Sequence, residues 1–88
     1  MHQVDWLKTS LDELAGIWLA ADSEARTAIA SATQEIDRLL QADPFNQGES
    51  READQRVMFM APLGLTYEVT LRLSIVTVLH VWRFSDGA

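Results

Sequence analysis

The sequence contains no cysteine among its 88 residues. This excludes a disulfide-stabilised scaffold, a thiol nucleophile and a zinc site with thiolate ligands, and it agrees with a reducing compartment. The only histidines are His2 and His80, which are too few for a metal site without thiolates. We therefore expect neither a metal ion nor a cofactor.

Long apolar runs are also missing. The most apolar stretch, residues 73–82, has about half the length that a membrane span requires and contains Ser74, Thr77 and His80. The first residues lack the basic region and the apolar core of a signal peptide. We expect a cytoplasmic protein that makes no membrane contact.

Basic residues are scarce: seven lysines and arginines stand against 13 acidic residues, for a net charge of −6. Residues 1–54 contain eleven acidic and four basic residues, whereas residues 55–88 contain two and three. A dense basic patch usually accompanies phosphate binding, and here at most a thin one is expected, in the C-terminal half. The acidic helices would repel RNA, which favours a protein partner.

The residues that are present suit a globular domain, because 48% are hydrophobic and 23% are charged. A chain of 88 residues has room for one core only, and we expect a single domain over residues 1–88.

The N-terminal half has helical periodicity after a short first strand at residues 2–7. Ser10 and Glu13 have the spacing of a capping box, which predicts a first helix beginning near Leu11. Trp6 and Trp18 are expected to pack this part of the chain against the sheet. The apolar face of the first helix comprises Leu11, Leu14, Ala15, Ile17, Trp18, Leu19 and Ala21.

A second helix is predicted to begin after an N-cap at Asp22 and Ser23 and to end at Asp43 and Pro44, since proline cannot continue a helix. Its apolar side comprises Ala25, Ile29, Ala32, Ile36, Leu39 and Leu40. A short break between two helices favours an antiparallel hairpin.

The period changes from helical to alternating in the C-terminal half. Residues 46–55 have no apolar period and are predicted to be an exposed connection, followed by a strand at 56–60 and a turn at 62–64. Residues 65–72 alternate as in a strand with one buried face, and 75–81 are apolar on both sides, as in an interior strand. By this alternation Tyr67 belongs to the core.

The predicted fold is α+β, with the order β-α-α-β-β-β. Short turns join the last three strands, so they must pair antiparallel, and the helical hairpin covers one face of a mainly antiparallel sheet. The other face is left open for a partner or a substrate.

Several segments, in this order and spacing, resemble the RelE/ParE superfamily of bacterial type II toxins. They span most of the chain, although no single one of them is diagnostic. They are Trp6 with 11–14, 36–40 with Asp43 and Pro44, 48–51 with Arg56, 62–65 with 67–69, and 78–83.

The resemblance implies a toxin that is neutralised by a cognate antitoxin. RelE-type members cleave mRNA on the ribosome, whereas ParE-type members inhibit DNA gyrase and are not nucleases. The RelE type has several lysines and arginines on the second and third strands and a tyrosine after the last strand. Here apolar residues follow Arg56 on the second strand. Only Arg83 corresponds to one of the family's catalytic basic residues, and no tyrosine follows it in the sequence.

The leading hypothesis is therefore a toxin that binds a protein target such as DNA gyrase. These departures from the RelE type favour a protein that is not an enzyme. One alternative is a RelE-like ribosome-dependent mRNA endonuclease. Another is a non-toxic interaction module with the same fold.

If the protein is a nuclease, the catalytic candidates are His80 and Arg83. A histidine can exchange a proton near neutral pH, and an arginine can hold a phosphate. Alternation along the last strand places the two side chains on opposite faces unless a bulge intervenes. The alternative is a half-buried strand histidine and an arginine that caps the sheet edge.

Four residues are the candidates for contacts with a target or an antitoxin: Arg51, Arg56, Trp82 and Arg83. An aromatic side chain at an open edge suits a protein interface. The alternative for the first two arginines is local ion pairing with Glu49, Glu52 or Asp54, which would contribute little at the surface.

Overall fold

The protein is described by a computed structural model that covers residues 1–51 and 54–84. Five strands form one sheet with the order β1-β5-β4-β3-β2, in which β1 runs parallel to β5 and the other neighbours are antiparallel. The elements are β1 (Gln3–Trp6), α1 (Lys8–Ala20), α2 (Ser23–Ala42), β2 (Glu49–Ser50), β3 (Gln55–Met60), β4 (Leu63–Thr70) and β5 (Ile75–Arg83). The predicted α+β architecture is confirmed.

Helix α1 begins at Lys8, three residues before the predicted start near Leu11. Its N-cap residue, Leu7, provides no side-chain hydrogen bond. Ser10 is buried and donates its hydroxyl to the Leu7 carbonyl at 2.8 Å, while Glu13 accepts from the Val81 amide at 3.2 Å. The capping-box prediction is wrong, because both side chains have other partners in the folded chain.

Helix α2 agrees with its predicted signals. The Asp22 carboxylate accepts a hydrogen bond from the Ala25 amide at 2.8 Å, and the helix ends at Ala42, before Asp43 and Pro44. The predicted apolar side is the buried one: Ile29, Ala32, Ile36 and Leu40 are at most 4% exposed. This face forms the helical half of the core.

The connection predicted at residues 46–55 contains a short edge strand, β2, which the sequence did not indicate. Glu49 pairs with Val57 and Ser50 with Arg56. Gly48 has a φ of +63°, and a Cβ at this position would collide with the Val57 carbonyl oxygen. Two polar residues without an apolar period give no strand signal, so only pairing with β3 reveals the strand.

The turn predicted at residues 62–64 lies slightly earlier. Leu63 and Gly64 already belong to β4 and pair with Met60 and Phe59 of β3. The connection consists of Ala61 and Pro62 alone.

The two faces of the sheet have different surroundings. The helices cover one, as predicted, and we call it the covered face; we call the other the open face. Residues paired across neighbouring strands share a face, which assigns the paired strand positions. The covered face comprises Val4, Trp6, Ser50, Arg56, Met58, Met60, Leu63, Leu65, Tyr67, Val69, Val76, Val78, Val81 and Arg83. The open face comprises Gln3, Asp5, Glu49, Gln55, Val57, Phe59, Gly64, Thr66, Glu68, Thr70, Ile75, Thr77, His80 and Trp82.

The predicted role of Trp6 and Trp18 in helix–sheet packing is correct only for Trp6. Trp6 is half-buried against the core, and its indole NH donates to the Asp37 carboxylate at 3.0 Å. Trp18 is 39% exposed and lies against Arg26, whose guanidinium carbon is 5.5 Å from the centre of the indole ring. One helix cannot direct all of its broad apolar face toward the sheet, so part of that face meets solvent.

Within the described residues, no helix is long and apolar enough to span a membrane.

Candidate interaction site

An aromatic cluster lies at one end of the open face, where β3, β4 and β5 run side by side. We call Phe59, Trp82 and Phe84 the aromatic cluster. The Phe59 ring meets the Trp82 ring edge to face with centroids 6.1 Å apart, and it meets the Phe84 ring similarly at 5.5 Å. Such geometry is favourable for aromatic pairs. Phe59 is 58% exposed, so the cluster is accessible from solvent.

Gly64 makes this arrangement possible. It lies between Phe59 and Trp82 in the register of the three strands. A Cβ on Gly64 would come within 2.6 Å of the Trp82 indole, so the ring lies directly over the glycine backbone. The glycine at 64, which the sequence marked only as a turn residue, thus creates the space for the indole.

The charge on the open face is negative. Asp5, Glu49 and Glu68 lie on it, and no lysine or arginine occupies an open-face strand position in the part of the chain that the structure describes. The two arginines within strands are Arg56, which pairs with Tyr67, and Arg83, which pairs with Leu63. Both therefore belong to the covered face.

Arg56 is engaged by main-chain carbonyl groups. Its Nε donates to the Gln47 carbonyl at 3.1 Å and its terminal nitrogen to the Gly48 carbonyl at 3.3 Å. The Tyr67 hydroxyl lies 2.7 Å from the same Gln47 oxygen and 2.6 Å from the Pro44 oxygen. Burial raises the pKa of Tyr67, and the nearby Arg56 guanidinium partly opposes this effect. Arg56 thus fixes the connection between α2 and β2. The sequence had suggested either a contact with a partner or local ion pairing, and neither describes this role.

Arg51 is exposed just after β2, and its amide donates to the Gln55 carbonyl at 2.8 Å. Among the described residues it forms no ion pair with Glu49 or Asp54. Glu52, the third predicted partner, lies outside the described residues.

The structure does not bring His80 and Arg83 together. A bulge at Leu79 shifts the register, so that Tyr67 pairs with Val78 but Thr66 pairs with His80. The bulge precedes both candidates, and they remain on opposite faces of β5. The His80 Nδ1 lies 3.3 Å from Glu13, whose carboxylate also accepts the Val81 amide. His80 therefore helps to join α1 to the bulged strand.

A second exposed surface, which sequence reasoning missed, is an apolar groove between the helices. We call it the helix groove; it is a cavity of about 560 Å³. Leu11, Trp18 and Leu19 of α1 are 51%, 39% and 77% exposed there, with Ile29 and Ala30 of α2 opposite. The available signal was the width of the α1 apolar face, which exceeds what one contact with the sheet can bury.

In the described part of the chain, no group of three or more histidine, aspartate or glutamate side chains is arranged to hold a metal ion.

Comparison with solved structures identifies the fold. A chain of the chromosomal ParDE toxin–antitoxin system from P. aeruginosa superimposes with a TM-score of 0.75 at 17% identity, covering 97% of this chain and 98% of that one. A chain of the toxin–antitoxin complex RelBE2 from Mycobacterium tuberculosis superimposes with a TM-score of 0.73 at 17% identity, covering 97% of this chain and 93% of that one. The isolated E. coli RelE toxin superimposes with a TM-score of 0.67 at 16% identity, covering 99% of this chain and 88% of that one.

The chain therefore has the RelE/ParE fold, as the resemblance predicted. At the level of sequence, no family model and no curated protein matches it.

Proposed function

We propose that this protein is the toxin of a type II toxin–antitoxin system and acts by binding a protein target such as DNA gyrase. The observation that carries the proposal is the character of the open face, which offers an aromatic cluster and three carboxylates but no strand lysine or arginine among the described residues. Exposed aromatic side chains are typical anchors of protein interfaces.

The same face is poorly suited to RNA. Binding a nucleic-acid backbone depends on lysines and arginines that neutralise phosphates, and the carboxylates of Asp5, Glu49 and Glu68 would repel it. Cleavage would also need a proton acceptor, a proton donor and a cation around one phosphate. His80 and Arg83 lie on opposite faces of β5, so their side chains do not converge on one group.

The proposed neutralising partner is a cognate antitoxin. Structures with this fold include complexes described as toxin–antitoxin systems. The helix groove is apolar, elongated along two helices and exposed, which suits the apolar side of an amphipathic antitoxin helix. The proposal thus assigns the aromatic cluster to the target and the helix groove to the antitoxin, with Arg51 and Arg83 as flanking charges for either partner.

Expression from an inducible promoter tests toxicity, and the purified protein is then assayed for inhibition of gyrase supercoiling and for cleavage of ribosome-bound mRNA. We expect growth arrest and loss of supercoiling without mRNA cleavage. Cleavage without gyrase inhibition would instead support the RelE-like alternative. A folded protein that does not arrest growth would support the non-toxic interaction module.

A matched pair of variants separates the two surfaces. Trp82→Ala should weaken gyrase inhibition at least about tenfold, as expected for an interface anchor, while antitoxin binding is retained. Trp18→Ala makes the same substitution in the helix groove and should weaken antitoxin binding while gyrase inhibition is retained. If both variants lose both activities, the assignment of separate surfaces is wrong. If His80→Ala and Arg83→Ala both leave toxicity intact, the nuclease candidates are lost.

A further inference from the structure

The Trp82 side chain lies flat on the open face of the sheet. A Cβ on Gly64 would be 2.6, 2.6 and 2.8 Å from three neighbouring atoms of the indole, Cε2, Nε1 and Cζ2. Because these distances are nearly equal, the glycine lies under the face of the ring and not beside its edge. The backbone of β4 thus covers one face of the indole, while the side chain is still partly exposed. The other face is therefore directed to solvent.

Phe59 borders this exposed indole face. Its ring lies at 80° to the indole with the centroids 6.1 Å apart, and its side chain is 58% exposed. Phe84 packs against the same ring at 5.5 Å and 89° and holds it in place. We call the outer indole face of Trp82, with the Phe59 ring beside it, the indole shelf. A flat aromatic surface with a perpendicular wall suits a planar group that stacks on it.

Carboxylates lie on both sides of the neighbouring row of residues. Strand pairing places Val57, Thr66 and His80 in this row, about 7 Å from the shelf along the strands. Glu49 pairs with Val57 at one end of the row. At the other end, a Glu13 carboxylate oxygen lies 3.3 Å from the His80 ring. The surroundings of the shelf therefore attract positive charge.

The chain does not supply that positive charge from its strands. Arg83 follows Trp82 directly but belongs to the covered face, and Arg51 lies beyond the end of β2, two rows from the shelf. The exposed indole of Trp18 differs, because the guanidinium carbon of Arg26 lies 5.5 Å from its centre. Among the described residues, no cation lies over the Trp82 ring in this way. One exposed indole thus has its arginine, and the other lacks one.

We propose that the indole shelf binds an arginine side chain of a protein partner, whose guanidinium stacks on the outer face of Trp82 near the carboxylates of Glu13 and Glu49. Tryptophan attracts cations more strongly than the other aromatic residues, and the guanidinium is planar, unlike the ammonium of lysine. A nucleobase could also stack, but the carboxylates would repel its phosphates. The inference rests on the proposed function and deepens it, since it names the group on the protein target that the aromatic cluster recognises.

The probe is a five-residue glycine peptide, blocked at both ends, with arginine at its second and fourth positions. Matched peptides carry citrulline, which is planar but neutral, or lysine at the same two positions. NMR follows the indole NH signals of the three tryptophans, and Trp82→Phe identifies the signal of Trp82. We expect the arginine peptide to shift this signal and to leave those of Trp6 and Trp18 in place. The citrulline and lysine peptides should bind at least about threefold more weakly.

Variants test the two components of the site. Trp82→Ala removes the shelf and should weaken the arginine peptide at least about threefold, measured on the amide signal of Thr66. Glu49→Gln removes one neighbouring carboxylate and should weaken it about twofold. Glu24→Gln makes the same change at an exposed position in the first turn of α2 and should have no effect. If Trp82→Ala does not fold, as judged by circular dichroism, the comparison of arginine with citrulline on the unaltered chain decides.

Three results would overturn the inference. They are an unchanged Trp82 signal, a citrulline or lysine peptide that binds as tightly as the arginine peptide, and adenosine monophosphate that shifts the Trp82 signal at a lower concentration than the arginine peptide does. Gyrase inhibition that depends on Trp82 without arginine binding would reject this inference and retain the proposed function. Arginine binding by a chain that leaves supercoiling unaffected would reject gyrase as the target and retain the arginine site.

Discussion

The two faces of the sheet show how one run of alternating residues produces two different surfaces. On β4, Leu63, Leu65 and Tyr67 point to the covered face and are completely buried, whereas Thr66 and Glu68, between and beyond them, remain partly exposed. The covered face is apolar because it must exclude water to stabilise the fold. The open face carries no such requirement, so its aromatic and acidic residues are available for binding.

The arginines sharpen this contrast. Arg56 and Arg83 occupy covered-face positions at places where their side chains reach carbonyl oxygens or solvent, and the open face retains the carboxylates. The count of charges along the chain predicted a slightly basic C-terminal half, but the pleat directs its strand arginines away from the open surface. Charge in sequence and charge on a face are therefore different quantities.

The largest effect should come from removing core volume on the covered face. Leu65→Ala creates a cavity at a fully buried position and should reduce the free energy of unfolding by about 2–5 kcal/mol. Phe59→Ala, on the open face, should cost only about 1 kcal/mol, mainly through lost aromatic contacts. Urea denaturation of both variants measures the difference. Equal losses would mean that the open face is part of the folding core.

A second test concerns the space above Gly64. Gly64→Ala places a Cβ within 2.6 Å of the Trp82 indole and should destabilise the protein by about 1–3 kcal/mol because the ring must move. The matched control is Gly16→Ala on α1, where nothing lies within 4 Å of the added atom; it should stabilise the protein by up to about 1 kcal/mol. Thermal unfolding compares the two, and a neutral Gly64→Ala would contradict the close packing of Trp82.

A third test involves Tyr67, the only tyrosine of the chain. Tyr67→Phe leaves the carbonyls of Pro44 and Gln47 without this donor and should cost about 1–2 kcal/mol. Because burial raises the Tyr67 pKa, the folded state keeps the proton that the unfolded state releases. The stability from this group is complete below the unfolded-state pKa of about 10 and is lost as the pH rises through the higher folded-state value.

Phenolate absorbance follows this titration directly, since a single residue contributes. We expect the absorbance to rise at a higher pH in the folded protein than in urea, and the alkaline loss of stability to diminish in Tyr67→Phe. A folded protein that titrates at the same pH as the unfolded chain would show that Tyr67 is not buried as described.

Where the sequence failed, the missing information was not local. Ser10 and Glu13 match a capping box, but Glu13 instead binds the Val81 amide, which is remote in the chain. Strand β2 exists only because β3 lies beside it, and it pairs with only two residues of that strand, Arg56 and Val57. The helix groove likewise depends on how α1 packs against β5, because this packing leaves Leu19 exposed to solvent.

The sequence by itself determined the order of the elements other than β2, the buried side of α2 and the alternation of β4, because those patterns repeat with the period of the backbone that carries them. The RelE/ParE resemblance came from particular local segments in their order and spacing along the chain. Only the tertiary structure decided which charges face the open side, how Trp82 lies over Gly64, and that β2 pairs with β3. These features arise between strands and helices that are far apart in the chain, and no local period encodes such contacts.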